Sequence, residues 1–134
     1  MIYAVLDTNV LVSALMSKST ESTISKLFKE VIEGRLIPMH SPEIIDEYVD
    51  VLSREKFHFL PELRDALICR IKTIGIEPGR VSFNEKMPDE SDRVFYEVAL
   101  SKEDAYLVTG NLKHFPVAPI VVTPAEMLEI LKKS

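Results

Sequence analysis

Ile2-Tyr3-Ala4-Val5-Leu6-Asp7-Thr8-Asn9 is the stretch that decides the fold. A short apolar run without alternation fits a strand buried on both faces, as in a parallel sheet. Its abrupt end at the Asp7 carboxylate marks a loop at the C-terminal edge of that strand. Downstream, Val10 to Met16 is apolar again and starts a helix. Thr20 to Gly34 carries Ile24, Leu27, Phe28, Val31 and Ile32 at helical spacing, with Gly34 as the stop. Leu36 to Met39 reads as a second strand. Ser41-Pro42-Glu43 then supplies the N-cap, first-turn proline and first-turn acid of a helix running to about Ser53.

Pro61 opens another helix, with Leu63, Leu67, Ile68, Ile71 and Ile74 on one stripe and Gly75 closing it. Residues 76–83 read as a short strand or an irregular link. Asp89 to Lys102 is expected to be helical, with Val94, Phe95, Val98 and Ala99 inward. Tyr106 to Thr109 is a buried strand ending at Gly110-Asn111, and Ile120 to Val122 is another. Thr123-Pro124 caps a last helix through Leu131. Apolar strands alternating with helices imply an α/β fold, a three-layer α/β/α arrangement around a central parallel sheet, formed as a single domain over residues 1–134.

Composition narrows the function classes. At 134 residues, 46% hydrophobic and 28% charged, the chain can bury a core without disulfides or structural metal. The single Cys69 forms no internal disulfide and reads as a small core residue; no Cys/His pair has zinc-finger spacing. Neither glycine-rich phosphate-binding motif occurs. No apolar run is long enough to span a bilayer, and the start lacks a basic segment, so a cytoplasmic protein with no membrane partner is expected. A net charge of -5 argues against broad adhesion to nucleic acid. A local site built from clustered acids that hold metal remains compatible with it.

In open parallel sheets, sites form beyond the C-terminal ends of the strands. Those ends supply Asp7-Thr8-Asn9 from the first strand and Thr109 and Asn111 from the strand at Tyr106. Asp7 is costly to bury without a partner, although it is also a good N-cap for the following helix. Glu47 lies at the margin of its helix's apolar stripe, about 40° from Val51. Asp89 and Asp92 stand at i and i+3 at a helix start, where each also favours the helix N-terminus. Acids converging from separate elements, with no basic motif to balance them, point to a hard divalent cation, Mg²⁺ or Mn²⁺. Arg93, Lys113 and His114 stand near these acids in sequence and could meet a substrate phosphate. Taken singly each reads as solvated surface, and His114-Phe115-Pro116 reads as fixing the turn after Asn111.

The strings Val5-Leu6-Asp7-Thr8-Asn9-Val10-Leu11-Val12-Ser13-Ala14, Asp92-Arg93-Val94-Phe95-Tyr96-Glu97-Val98-Ala99 and Tyr106-Leu107-Val108-Thr109-Gly110-Asn111 resemble a PIN domain, over essentially the whole chain. The nearest likeness is to small prokaryotic PIN toxins of toxin–antitoxin pairs, VapC-like ribonucleases. The resemblance implies a metal-dependent endoribonuclease in which Asp7, Glu47 and Asp92 are the core metal-binding and catalytic acids. It implies an accessory role for Asp89, and Thr8, Asn9 and Thr109 would orient the acids. Its implied partners are an RNA substrate and a cognate antitoxin, and it leaves a homodimer open. Asn111 departs from the pattern, standing where many PIN domains carry a fourth Asp. It either offers a neutral amide oxygen to a second ion or merely shapes the turn. A catalytically weak PIN-like module binding RNA or protein is the alternative. A phosphotransfer enzyme with Asp7 as nucleophile is disfavoured, because Asn9 stands where that chemistry places a second Asp.

Overall fold

The computed structural model describes residues 1–134, all of them placed. The strands are β1 (Ile2–Leu6), β2 (Leu36–Met39), β3 (Tyr106–Val108) and β4 (Val121–Val122). They form one parallel sheet in the order β2-β1-β3-β4. Register is set by Ile2 opposite Leu36, Val5 opposite both Met39 and Leu107, and Val108 opposite Val122. Ala4, Val5 and Leu6 are fully buried, as a strand covered on both faces requires.

The helices are α1 (Thr8–Met16), α2 (Thr23–Ile32), α3 (Pro42–Leu52), α4 (Pro61–Ile74), α5 (Arg93–Leu100) and α6 (Pro124–Lys132). From β1 the chain crosses to β2 on one side, then returns past β1 to place β3 on the other. Right-handed crossovers in opposite directions put their helices on opposite faces. In agreement, α2 packs on α1 and α6, while α3 packs on α4 and α5. A contiguous cluster of 26 buried apolar residues joins both layers through the sheet. No helix is long and apolar enough to cross a membrane. The α/β/α sandwich read from the sequence is the observed fold.

Three local expectations are corrected. Asp89 to Lys102 is not one helix: Glu90–Asp92 forms a 3₁₀ turn, and α5 begins only at Arg93 and ends at Leu100. Cys69 is exposed rather than in the core, and Leu63 is 57% exposed. Only the C-terminal half of α4 reaches the core, through Ile68 and Ile71. The residues after α4 make one isolated bridge, Ile76 to Met39, and no strand.

The irregular segment that follows, residues 77–89, is nonetheless tied down. Glu97, 5% exposed on α5, accepts from the Arg80 guanidinium at 2.5 Å and from the Phe83 N–H at 2.7 Å. The Arg93 guanidinium donates to the carbonyls of Phe83 and Glu85. This fastening delivers Asp89 to the C-terminal edge of the sheet.

Gly75 closes α4 where the chain passes β2, with the Ile76 N–H donating to the Pro38 carbonyl at 2.9 Å. A Cβ at Gly75 would lie 2.5 Å from the carbonyl oxygens of both Ile71 and Pro38. Neither oxygen is the end of a flexible side chain. Gly75→Ala is therefore expected to destabilise the protein by roughly 1–3 kcal/mol through backbone displacement. Urea unfolding reads this directly, and an unchanged midpoint would show that α4 and β2 can separate freely.

Candidate functional site

The strand order reverses between β1 and β3, and this is where ligands bind in open α/β sheets. Asp7 follows β1 at that point. Its N–H donates to the Val108 carbonyl at 2.9 Å, which continues the ladder one residue beyond the strand. Its carboxylate accepts from the Thr8 N–H at 2.8 Å and from the Thr109 hydroxyl at 2.7 Å. Asp7 therefore caps α1 and is held by β3 as well. Thr109 is fully buried and also accepts from the Asn111 N–H at 3.0 Å.

Thr8 links the next acid. Its hydroxyl donates to Glu47 Oε2 at 2.5 Å. Glu47 is half-buried on α3, and its neighbour Tyr48, wholly buried, donates its hydroxyl to the Leu6 carbonyl at 2.5 Å. The Tyr48 bond pins α3 to the end of β1, which places Glu47 beside Asp7. Asn9 closes the other side by accepting from the Gly110 N–H at 3.2 Å.

Asp92 ends the 3₁₀ turn before α5 and is 7% exposed. Its Oδ2 is buried with no hydrogen-bond partner. A buried, unsatisfied acceptor is uncommon in folded proteins and calls for an explanation. Asp89 begins the same turn, its carboxylate accepting from the Ser91 N–H at 3.0 Å and the Ser91 hydroxyl at 2.7 Å. His114 approaches from beyond β3, with Nδ1 3.4 Å from Asp92 Oδ2. One ligand atom from each of Asp89, Asp92 and His114 lies within 4.8 Å of the others.

The electrostatics follow from crowding. Burial, then the negative charges of Asp7 and Asp89, push the Asp92 carboxyl up to about 7. Burial raises Asp7 despite its hydrogen bond from Thr109. Glu47 is raised by burial and by Asp7, with the Thr8 bond opposing. Asp89 is lowered, because the Ser91 hydroxyl and N–H favour its charged form. Groups that resist ionisation together are those a cation would rescue.

The sequence candidates divide accordingly. Asp7, Thr8, Asn9, Glu47, Asp89, Asp92, Thr109 and Asn111 stand around one sheet edge. Asn111 makes the bonds of a turn: its Oδ1 accepts from the Lys113 N–H at 3.3 Å and its Nδ2 meets His114 Nε2 at 2.9 Å. Arg93 is committed elsewhere, to Glu90 and the 77–89 segment, and is not free for a phosphate. Lys113 is exposed on the 3₁₀ turn Leu112–His114. His114, read from the sequence as a turn residue that could also meet a substrate phosphate, bonds Asn111, and its Nδ1 pairs with Asp92. The local string shows the turn and gives no sign of a residue 22 positions upstream.

A family model described as PIN domain matches residues 3–113, from β1 through the turn that carries Asn111. Comparison with curated proteins and with solved structures gives no match. The matched span contains every acid gathered at the switch point and covers most of the sheet. On that match, and on the parallel α/β/α fold that carries it, the chain belongs to the PIN domain family.

Proposed function

We propose that this protein is a Mg²⁺- or Mn²⁺-dependent endoribonuclease acting as the toxin of a toxin–antitoxin pair, within one domain spanning residues 1–134. PIN domains are generally nucleases, which supports the hydrolase class. The observation that carries the reading is the buried Asp92 carboxyl, whose Oδ2 has no hydrogen-bond donor and whose ionisation is opposed by burial and by the charges of Asp7, Asp89 and Glu47. The donor set is oxygen-rich and anionic, as hard divalent cations require. Asp7, Glu47 and Asp92 would hold the ion, with Asp89 beside them. When bound, such an ion supplies Lewis acidity, charge neutralisation and a lowered water pKa for in-line phosphodiester hydrolysis.

The protein's own groups prepare that chemistry. Thr8 N–H and the Thr109 hydroxyl fix both oxygens of Asp7, favouring its ionised form and its orientation. The Thr8 hydroxyl holds Glu47 at the same edge. Asn9, tied to Gly110, keeps the turn after β3 against the start of α1. The neutral Asn111 in place of an acid favours the alternative, a weakly catalytic RNA- or protein-binding module.

Purified protein is expected to cleave single-stranded RNA in millimolar Mg²⁺ or Mn²⁺ and to stop when EDTA is added. Binding of RNA without cleavage in either ion would select the alternative. Growth arrest on expression, relieved by the product of a neighbouring short reading frame, tests the toxin role.

A further inference from the structure

We propose that His114 Nδ1 is a metal ligand, joining Asp89 and Asp92 in a mixed nitrogen–oxygen site that prefers Mn²⁺ and later transition ions to Mg²⁺. The proposal rests on the reading of the acid cluster as a metal centre and adds to it a ligand that sets the choice of ion.

Three observations carry it. Asp92 Oδ2 is buried without a hydrogen-bond donor, and the charged group beside it is His114, whose Nδ1 pairs with it at 3.4 Å only when the ring is protonated. With the ring neutral, the pair leaves the buried carboxylate without an opposite charge. Second, the ligand atoms of Asp89, Asp92 and His114 lie within 4.8 Å of one another. Ligands on one divalent ion sit about 3–4 Å apart, given bonds of about 2.0–2.2 Å, so only slight closure is needed. Third, the imidazole is aimed: Asn111 Nδ2 bonds Nε2 at 2.9 Å, which turns Nδ1 toward the acids. The His114 side chain is 45% exposed, which leaves an ion a route in from solvent.

The protons balance without a co-reactant. With Asn111 Nδ2–H donating to Nε2, the neutral ring carries its proton on Nδ1. Ligation through Nδ1 needs that proton on Nε2 instead. Asn111 can turn its amide so that Oδ1 accepts the new Nε2–H, giving up only its 3.3 Å bond from the Lys113 N–H. A ligating histidine fixed by a carbonyl oxygen on its second nitrogen is the usual arrangement at metal sites. An amide serves both states, whereas a carboxylate could not donate to Nε2. Asn111 is thus a positioning residue for His114, which accounts for a neutral side chain at this point.

Imidazole nitrogen strengthens binding of first-row transition ions, least for Mn²⁺ and more for Co²⁺ and Zn²⁺, and adds little for Mg²⁺, which favours oxygen and keeps its waters. The test uses full-length protein stripped of metal, as wild type, His114→Gln and Asp92→Asn. Each is titrated calorimetrically with Mn²⁺ and with Mg²⁺, and the Mn²⁺ complex is examined by pulsed electron paramagnetic resonance for ¹⁴N coupling. Wild type is expected to show imidazole ¹⁴N coupling and to bind Mn²⁺ at least tenfold tighter than His114→Gln does. Mg²⁺ affinity should differ less than about threefold between those two. His114→Gln keeps a group able to bond Asn111, and circular dichroism confirms its fold. Mn²⁺ bound equally by both proteins, without ¹⁴N coupling, overturns the proposal while leaving the carboxylate centre standing. Failure of wild type to bind either ion overturns both, and Asp92→Asn marks that baseline.

Discussion

Asp7→Asn is expected to abolish RNA cleavage, by at least about a thousandfold, and to leave the protein folded. The change is isosteric and removes one negative charge from the group of acids most crowded by its neighbours. The local bonds survive it. An Asn Oδ1 accepts from the Thr8 N–H as the carboxylate does, and its Nδ2 donates to the Thr109 hydroxyl, which can accept as well as donate. The cap of α1 and the tie to β3 are both kept, so lost activity cannot be blamed on lost structure. Cleavage of end-labelled single-stranded RNA in each ion, beside a thermal melt, makes the comparison. A variant cutting within tenfold of wild type, free of contaminating nuclease, would remove Asp7 from the chemistry.

Asp92→Asn is expected to stabilise the metal-free protein, and by an amount that depends on pH. The folded carboxyl titrates at about 7 and its ordinary value is 3.8. A group raised on folding binds its proton more tightly in the native state, so its ionisation disfavours the fold. The penalty is absent below about pH 4, grows between pH 4 and 7, and is constant above. At pH 8 the variant should therefore exceed wild type by roughly 1–3 kcal/mol, or several degrees in Tm. The gap should shrink steadily on acidification toward pH 4. His40, buried and lowered by that burial, acts the opposite way, losing stability as pH falls through the middle sixes. It does so equally in both proteins and cancels in the comparison. Millimolar Mn²⁺ should reverse the order at pH 8, because an ion binding only the native cluster raises wild type and not the variant. A gap independent of pH and of Mn²⁺ would mean that Asp92 is not part of a charged cluster.

Much of this was legible in the sequence, for reasons that lie in local chemistry. An apolar strand stopping at Asp7, a Ser41-Pro42 cap and a Gly75 stop each follow from backbone preferences. The marginal position of Glu47 follows from the helical angle alone. What escaped depends on contacts distant in sequence. The periodicity of α4 matches a core stripe, but only packing reveals that Leu63, in its first half, stays in solvent, and that Cys69, beside the buried Ile68, turns outward. Glu97 sits in an apolar helix, and nothing near it in sequence announces the Arg80 guanidinium and Phe83 N–H that hold it. Arg93 is next to Asp92 in sequence and turns away from it, because the carbonyls of Phe83 and Glu85 capture its guanidinium.

The position of β3 beside β1 governs when a working centre can first exist. Asp7 is synthesised 102 residues ahead of Thr109, whose hydroxyl aims it. Until β3 has been made and inserted along β1, Asp7 lacks its anchor, Asp92 has no sheet edge to face, and the half-sheet β1–β2 carries no assembled cluster. Such non-local pairing also makes folding slow relative to a helical bundle. If the proposed nuclease reading holds, the centre stays unassembled on the ribosome, surrounded by RNA, throughout synthesis of the stretch between Asp7 and Thr109. The cluster is complete only once the chain past Thr109 has been released to fold.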